Sequence, residues 1–389
     1  MSRKSTYLSQ VDRGLKGRNI GLPNGLGSMN NYIYGINEGR YYLVGGESGS
    51  GKTTFTDFGF VLTPYFATKE IEQFSDYKLS VNYWSLEQSR QTKEGKWASH
   101  IIYKKHGIWI PPALALGKTK TLLTADQYNL CKEANDDLDE LFDSCVTMID
   151  TSSGPSSILR YLLLYGQKKG KWTTVARKDS EGNMILNKEK KPILDITGWE
   201  ANDLEERHVF LIDHIAYAEM EKRTLKENID TISRLFVRFR ELTTSWTFVV
   251  IQQFNTELGS IERQKFKKSA LAPQRMDFGD SKYTFQDADV VFGLLNPYKY
   301  DIRDDFHGYK DIEKFGGLAI WAFLIKNRHE GTADRAIPFF MDPIQMSFEE
   351  IPEMTPDHFD LCELGIAENP LQKYYDTAEA ILELKNKYN

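Results

Sequence analysis

One short stretch of the chain has the residue types and the spacing of a loop that binds phosphate groups. Gly46 and Gly51 enclose four residues and are followed by Lys52 and Thr53. Glycines let backbone N–H groups approach phosphate oxygens, and a helix that begins here would add further unpaired N–H groups. We expect Lys52 to reach the β- and γ-phosphates of ATP and Thr53 to bind Mg²⁺. The predicted nucleotide-binding residues are Gly46, Glu47, Ser48, Gly49, Ser50, Gly51, Lys52, Thr53 and Thr54.

The residues on both sides of this loop predict the elements that hold it. Residues 41–44 have the apolar composition of a buried strand that leads into the loop. A helix is expected from about residue 53 to residue 63, and Pro64 should end it because proline disfavours the helical conformation of the residue before it. A strand, a glycine-rich loop and a helix in this order favour a phosphate site over a surface turn rich in glycine and serine.

Two further predicted strands lead to carboxylates. Residues 208–213 are apolar and finish with Asp213, the place where a carboxylate that supports Mg²⁺ belongs in a phosphate-loop protein. Residues 79–86 form a strand that is followed by Glu87, a candidate general base that would orient the attacking water. The alternatives are an Asp213 that caps a turn and a Glu87 that is a solvated or helix-capping side chain.

Glutamines follow another predicted strand, residues 247–251. The amide of Gln253 suits contact with the γ-phosphate, whereas Gln252 points to the opposite face because side chains alternate along a strand. Strands alternate with helical segments along the chain, which predicts an α/β fold with a mainly parallel central sheet flanked by helices. Since ligands bind at the carboxyl ends of such strands, the phosphate loop, Glu87, Asp213 and Gln253 are expected at one edge.

Three parts of unequal length are expected along the chain: a basic N-terminal arm (1–20), a core domain (21–350) and a C-terminal tail (351–389) that contains a helix. The core carries an inserted segment at 151–207. Within this segment two strand-like runs flank a polar turn, so we expect a hairpin that projects from the core.

The composition excludes several classes of protein. The chain has 389 residues, of which 41% are hydrophobic and 27% charged, as in ordinary globular proteins. Its net charge of −6 argues against a generally basic nucleic-acid coat, so any binding of DNA needs a local basic patch. Three widely spaced cysteines argue against a disulfide framework or a zinc site and favour a reduced, cytoplasmic setting. No apolar run has membrane-spanning length, and the polar start lacks the apolar core of a signal peptide.

Five motifs follow the phosphate loop in a fixed order: Ser-Leu-Glu-Gln at 85–88, Phe-Leu-Ile-Asp at 210–213, Val-Ile-Gln-Gln-Phe-Asn at 250–255, Gln-Asp-Ala-Asp-Val-Val at 286–291 and Ile-Lys-Asn-Arg at 325–328. Together they resemble the motifs of DnaB-type replicative helicases. Gln253 of this chain matches the glutamine of that family's Ser-Gln-Leu-Asn motif. The order and the approximate spacing hold from residue 21 to about residue 348.

The resemblance implies a RecA-like P-loop NTPase core that assembles into a homo-oligomeric, hexameric ring. In that family ATP lies between subunits, and a Lys-x-Arg pair reaches the γ-phosphate held by the neighbour. Carried over to this chain, Lys326 and Arg328 would act in trans, where cationic side chains neutralise charge that develops in the transition state. A solvated hairpin end is the alternative for these two residues.

The resemblance also implies single-stranded DNA as a partner, bound by loops after the predicted strand at 247–251 and its neighbour. The long polar loop at 254–284 carries the candidate DNA-binding residues, in which charge would supply affinity without base readout. A solvated run of charge is the alternative. The candidates are Arg263, Lys265, Lys267, Lys268 and Arg275.

Three features depart from the family pattern. We expect no counterpart of that family's separate N-terminal helical domain, which docks primase, in these 389 residues. The chain also carries the segment at 151–207 and has His214 where many relatives have tyrosine. The first departure puts primase docking and a two-tier ring in doubt, although a primase or a loader stays a candidate partner. The short length suggests a bacteriophage-encoded version that acts in the host cytoplasm.

The sequence therefore favours an ATP-dependent helicase or translocase on single-stranded DNA. A RecA-type recombinase shares the expected fold but forms filaments and exchanges strands. A nucleotide-gated assembly or packaging subunit, which binds ATP without turnover, is the third interpretation. Glu87 and Arg328 argue against the last, because a purely structural nucleotide needs neither a general base nor a residue that stabilises a transition state.

Overall fold

The structure is a computed structural model that describes most of the chain, namely residues 3–15, 17, 19–151, 153–221, 224–255, 258, 260, 263, 271–279, 282–331, 333–364 and 366–388. The strands are β1 (Tyr41–Gly46), β2 (Lys78–Ser85), β3 (Val146–Ile149), β4 (Gly170–Ala176), β5 (Leu194–Ala201), β6 (Glu206–Asp213), β7 (Thr247–Gln253), β8 (Val290–Leu295), β9 (Ala319–Asn327), β10 (Arg335–Asp342) and β11 (Ser347–Glu350). The longer helices are α1 (Arg3–Leu15), α2 (Lys52–Asp57), α3 (Thr63–Glu70), α4 (Arg90–His106), α5 (Ala125–Ser144), α6 (Pro155–Lys169), α7 (Leu225–Thr243), α8 (Lys282–Asp287), α9 (Pro356–Glu363) and α10 (Gln372–Tyr388).

Within the described residues, nine strands form one sheet, in the order β11-β10-β9-β8-β1-β7-β6-β2-β3. Neighbouring strands from β8 to β3 are parallel, and β9, β10 and β11 extend the sheet in the antiparallel sense. All six residues of β1, near the middle, are buried, as is typical of parallel strands with helices on both faces. The predicted α/β fold with a mainly parallel sheet is confirmed.

Two buried clusters cover the two faces of this sheet. Because side chains alternate along a strand, Tyr42 and Val44 of β1 belong to one cluster, and Tyr41 and Leu43 belong to the other. Helices α4 and α5 contribute buried residues to the first cluster, and α6 and α7 contribute to the second. Helix α7 begins at a capping box in which Thr224 and a glutamate three residues later satisfy each other's backbone N–H groups.

The helix after the phosphate loop does not end before Pro64, and this prediction is wrong. After α2 the chain continues through a π-helical segment, Phe58–Leu62, into α3, which contains Pro64 and ends at Glu70. The N–H of Thr63 donates to the carbonyl of Phe58, five residues earlier. Proline has no N–H to donate, and the wider π turn before it shifts the hydrogen-bond register, so the helix passes the proline without a break.

The predicted insertion at 151–207 contains two different kinds of structure. Strands β4 and β5 form a separate two-stranded antiparallel sheet, which is the expected hairpin. Helix α6, in contrast, packs Ile158 and Leu162 into the core. Indole N–H groups of Trp172 and Trp199, at the base of the hairpin, donate to carbonyls of α6, so the base of the hairpin is anchored to the core.

Both ends of the chain contact the body of the fold. In α1, a guanidinium nitrogen of Arg13 lies 2.9 Å from a carboxylate oxygen of Glu38. In α10, the buried Tyr374 donates from its hydroxyl to Glu349 at 3.1 Å. In the described part of the chain no helix combines the length and the apolar character needed to cross a membrane.

Buried histidines, among them His208 and His100, make the stability of the fold depend on pH. Burial, aided by Lys169 and Arg207 and opposed by Asp203, lowers the pKa of His208 from 6.5 to about 3. Burial likewise lowers the pKa of His100 to about 4. The unfolded chain binds these protons below about pH 6.5, whereas the folded chain does not until lower pH. The stability is therefore fully present above pH 6.5 and falls as the pH drops toward 4.

We expect the free energy of unfolding to fall between pH 6.5 and 4.5 by about 1.4 kcal/mol per pH unit for each of these histidines. Replacing His208→Asn, which keeps a polar group near the hydroxyl of Tyr165, should remove one such contribution from the slope. Urea denaturation at four pH values measures it, with the exposed His358→Asn as the matched control. An unchanged slope in His208→Asn would show that this histidine is not held neutral.

Candidate functional site

The hydrogen-bond register of the sheet brings the predicted strand-end residues to one edge. Gly46 at the end of β1 lies beside Gln253 at the end of β7, and Ser85 at the end of β2 lies beside Asp213 at the end of β6. These four strands are adjacent in the order β1-β7-β6-β2. The expected convergence of the phosphate loop and the polar strand ends is therefore present in the structure.

A cleft opens at this edge of the sheet. A larger, mainly apolar groove of about 480 Å³ lies elsewhere, along α3 and α4, but residues of the phosphate loop, Glu87 and Gln253 line the cleft. Glu87 and Gln253 reach it with exposed side chains. The cleft is lined by Ser48, Gly49, Gly51, Lys52, Thr53, Thr54, Glu87, Gln88, Lys96, His214 and Gln253.

The phosphate loop has a backbone conformation that requires glycine. Gly49 and Gly51 have φ values of 70° and 84°, in the region that other residues rarely adopt. Lys52 Nζ donates to the carbonyl of Glu47 at 2.7 Å, across the loop. Burial lowers the pKa of Lys52 to about 8, and the nearby Glu87 and Asp213 carboxylates oppose this shift. Phosphate oxygens would be further anionic partners for this ammonium.

The side chains of Thr53 and Asp213 lie next to each other. The Thr53 hydroxyl lies 3.4 Å from Asp213 Oδ1, and the Asp213 side chain has no exposed surface. A hydroxyl and a carboxylate are the protein ligands that Mg²⁺ takes beside nucleotide phosphates. Among the described residues no group of three or more His, Cys, Asp or Glu side chains suits a metal. An ion here would therefore complete its shell with phosphate oxygens and water.

Glu87 is held next to Asp213 through the backbone. The N–H groups of Leu86 and Glu87 donate to the carbonyl of Asp213 at 2.6 and 3.1 Å. The hydroxyl of Ser85 donates to the carbonyl of Gln88 at 2.6 Å and closes the turn after β2. The Glu87 side chain is thereby fixed at its base while its carboxylate stays free in the cleft, which suits a group that orients water.

The two glutamines at the end of β7 have different environments, as strand alternation predicts. Gln253 lines the cleft and is exposed. Gln252 has no exposed surface, and its side-chain oxygen accepts from the hydroxyl of Thr284 at 2.7 Å. The structure thus assigns the cleft-facing position to Gln253.

Lys326 and Arg328 are not brought to this cleft. Lys326 Nζ donates to the carbonyls of Phe285, Gln286 and Ala288 at 2.6 to 2.9 Å. Arg328 donates to the Gln286 carbonyl and to Asp289 Oδ1 at 2.6 and 3.1 Å. Burial lowers the pKa of Lys326 to about 8.

Lys326 and Arg328 lie at the other end of the parallel strands, near their amino ends. The neighbour of Arg328, Asn327, is paired with Val290, which lies beside Tyr42 in β1. The four steps from Tyr42 to Gly46 along β1 span roughly 13 Å at about 3.3 Å per residue. The two side chains therefore cannot reach the phosphate loop of their own chain.

The basic loop is described in part. Lys265, Lys267 and Lys268 lie outside the described residues. Arg275 is exposed, with its guanidinium 5.8 Å from the centre of the Phe285 ring.

The guanidinium of Arg263, a predicted contact to DNA phosphates, is already paired within the chain. Its guanidinium pairs with Asp277 and donates to the Ala272 carbonyl at 2.7 Å. Asp277 has no exposed side-chain surface, and a buried carboxylate needs such a partner. The charge of Arg263 is thus already balanced inside the loop.

Several residues at or near the cleft are not among the site residues predicted from the sequence. Lys96 in α4 lines the cleft and donates to Gln88 Oε1 at 2.9 Å. Lys299 donates to the Ser48 carbonyl at the tip of the phosphate loop. His214 is buried, with its Nε2 lacking a partner among the described residues, and burial lowers its pKa to about 4. Lys93 contacts Asp213 from behind. Of these four residues, only His214 could be connected with the site from the sequence, because it directly follows Asp213.

The described part of the chain has a RecA-like fold with a phosphate-loop motif at the carboxyl end of β1. No protein-family model and no curated protein matches the chain. Among solved structures, it is similar to the ATPase domain of a DnaB-like helicase, with a TM-score of 0.59 and 15% identity over 90% of this chain and 100% of that one. It is also similar to a DnaB-like replicative helicase described with its interactions with primase, with a TM-score of 0.57 and 15% identity over 90% and 67%. The chain thus has the fold of DnaB-like helicase ATPase domains.

Proposed function

We propose that the chain is an ATP-dependent DNA helicase or translocase that acts on single-stranded DNA as a hexameric ring. One observation carries the proposal: the phosphate loop, Glu87 and Gln253 line a cleft at the carboxyl ends of the parallel strands, whereas the Lys326–Arg328 pair lies at their amino ends. A second copy that brings its pair to the cleft would complete the site. The likeness to the two solved DnaB-like structures supports this assignment over other uses of the fold.

In this mechanism the chain's own residues bind the phosphates, orient the attacking water and neutralise negative charge. The phosphate loop surrounds the phosphates with backbone N–H groups, and Lys52 lies against the β- and γ-phosphates. Thr53 and Asp213 would hold Mg²⁺, which would neutralise charge on the phosphate oxygens. Glu87 orients the attacking water, and Gln253 contacts the γ-phosphate.

Arg328 and Lys326 from the neighbouring copy approach the same phosphate. Their present hydrogen bonds to the Gln286–Asp289 turn hold the two cations at the surface of the chain. Cations there stabilise the charge that builds up on the γ-phosphoryl group as it leaves. Hydrolysis then depends on contact between copies, which is what a ring motor requires.

DNA binding is assigned to the basic loop that follows β7. The loop is connected to the nucleotide site, because the Phe254 N–H donates to the Gly46 carbonyl at 3.1 Å and the Asn255 N–H donates to the Asp277 carbonyl at 2.8 Å. A change in the conformation of the phosphate loop can therefore be transmitted to the start of the basic loop. Replication, with a primase or a loader as partner and the cytoplasm as location, is the setting that this activity suits.

Glu87→Gln should retain ATP binding and lose hydrolysis by about 100-fold or more, because the carboxylate is the base that orients water. Steady-state ATPase rates and the affinity for a fluorescent ATP analogue measure the two effects. Lys52→Ala should lose both binding and hydrolysis. Glu94→Gln, a change to a surface ion pair on α4, is the matched control. Normal turnover in Glu87→Gln would refute the assignment of the base.

Arg328→Ala should keep nucleotide binding and lose hydrolysis by about 1,000-fold, the usual effect of removing an arginine finger. Mixing this variant with Lys52→Ala should restore part of the rate, because one type of interface then combines an intact loop with an intact arginine. Arg335→Ala, in the neighbouring strand β10, is the control. Mixed rings that form but never regain activity would contradict a site shared between copies.

Replacing Lys265, Lys267 and Lys268 by alanine should weaken single-stranded DNA binding without regard to sequence. Each lost phosphate contact should flatten the log–log salt dependence by about 0.7. DNA-stimulated ATPase should fall while basal ATPase stays. A triple alanine variant at Lys188, Lys190 and Lys191, in the exposed hairpin of the insertion, is the matched control. Unaltered affinity and slope in the loop variant would end the DNA assignment.

Electron microscopy and the measured ATP turnover together separate the remaining alternatives. Closed rings on single-stranded DNA support the helicase, and open filaments that exchange strands would indicate a recombinase. Stable assemblies that bind ATP but never hydrolyse it, with or without DNA, would indicate an assembly or packaging subunit.

A further inference from the structure

A lysine with no exposed surface lies directly behind the carboxylate that we assign to Mg²⁺. Lys93, in α4, is fully buried, as are Asp57 and Asp213. Its Nζ is 3.1 Å from Asp213 Oδ2 and 3.1 Å from Asp57 Oδ1. The Tyr83 hydroxyl joins them, 2.7 Å from Asp57 Oδ1 and 3.3 Å from Asp213 Oδ2. One buried cation and two buried carboxylates therefore lie beside the nucleotide cleft.

The two side-chain oxygens of Asp213 face different partners. Oδ2 accepts from Lys93 and Tyr83 inside the protein, whereas Oδ1 accepts from the Thr53 hydroxyl on the cleft side. A carboxylate is planar, so contacts that fix Oδ2 also fix the direction in which Oδ1 points. The orientation of the metal-facing oxygen thus depends on the buried ammonium.

Stability alone does not account for this arrangement. Taking an ammonium out of water is expensive, and well-packed apolar residues in place of a buried ion pair are often neutral or stabilising. The chain nevertheless keeps Asp57, whose oxygens also accept from the Trp97 indole N–H at 3.1 Å. One ammonium and two carboxylates leave one net negative charge, the charge that Asp213 would have by itself. Asp57 therefore balances Lys93 and leaves Asp213 anionic toward a metal.

We propose that Lys93 is a positioning residue of the nucleotide site. It holds Asp213 so that Oδ1 and the Thr53 hydroxyl present a preformed pair of ligands to the Mg²⁺ of Mg-ATP, with Asp57 as the counter-charge. This inference rests on the proposed function, because it deepens the role given there to Asp213. Removing a group that orients a metal ligand typically lowers metal affinity by 10- to 100-fold.

The double variant Lys93→Met/Asp57→Asn is the main test. Lys93→Met alone leaves two buried carboxylates face to face and can unfold the protein. The double variant keeps a single negative charge in the cluster, and the amide introduced at position 57 still offers Trp97 an acceptor oxygen. It therefore removes the contact to Asp213 with the least disturbance of the packing.

The readout is the gain in nucleotide affinity that Mg²⁺ provides. Affinity for a fluorescent ATP analogue is measured with excess Mg²⁺ and with EDTA, and thermal unfolding checks the fold. The double variant should keep the affinity in EDTA, which depends on the phosphate loop, and lose about 10-fold of the gain from Mg²⁺. Lys96→Met, one turn further along α4 and in the cleft, should change both affinities alike and is the matched control.

The possible results separate this proposal from the proposed function. A double variant with the wild-type gain from Mg²⁺, or with equal losses in Mg²⁺ and EDTA, would overturn the positioning role. A wild-type chain that binds the analogue no better with Mg²⁺ than with EDTA would instead contradict the assignment of Asp213 to the metal. If the double variant does not fold, Tyr83→Phe, which removes one donor to the same Oδ2, should show a smaller but equally selective loss, and an unchanged gain there would overturn the role.

Discussion

The parallel hydrogen-bond register of β1, β7, β6 and β2 is the constraint on which the site depends. Each strand ends within a residue or two of a functional group, and the register places those ends side by side. A slip of one residue in any pair would turn the terminal side chain to the other face. The aromatic and aliphatic residues that bury both faces therefore also set the position of Asp213 relative to Thr53.

Much of the fold and part of the site could be predicted from the sequence, because the signals are local. The phosphate loop, the apolar run that ends in Asp213 and the amphipathic pattern of α7 each lie within about 20 consecutive residues. Their convergence follows from the general rule for parallel sheets. The path of the helix past Pro64 could not be predicted, because a π turn has no recognised local signal and depends on the packing around it.

The contacts of the buried cluster could not be predicted for a different reason. Asp57, Tyr83, Lys93 and Asp213 are far apart in the sequence, and each is an ordinary residue in its own segment. A lysine in an amphipathic helix indicates a solvated position, so only the folded arrangement shows that Lys93 has no exposed surface. The same holds for the pairing of Arg263 with the buried Asp277, which only the folded arrangement shows.

The placement of Arg328 at the edge opposite its own phosphate loop has a consequence for stoichiometry. If an arginine from one copy completes the cleft of the next, an isolated chain contains no complete site at all. An open chain of n copies contains n − 1 complete sites and one unused cleft, and only closure makes the number of sites equal to the number of copies. The count of hydrolysed nucleotides per copy would then report the topology of the assembly.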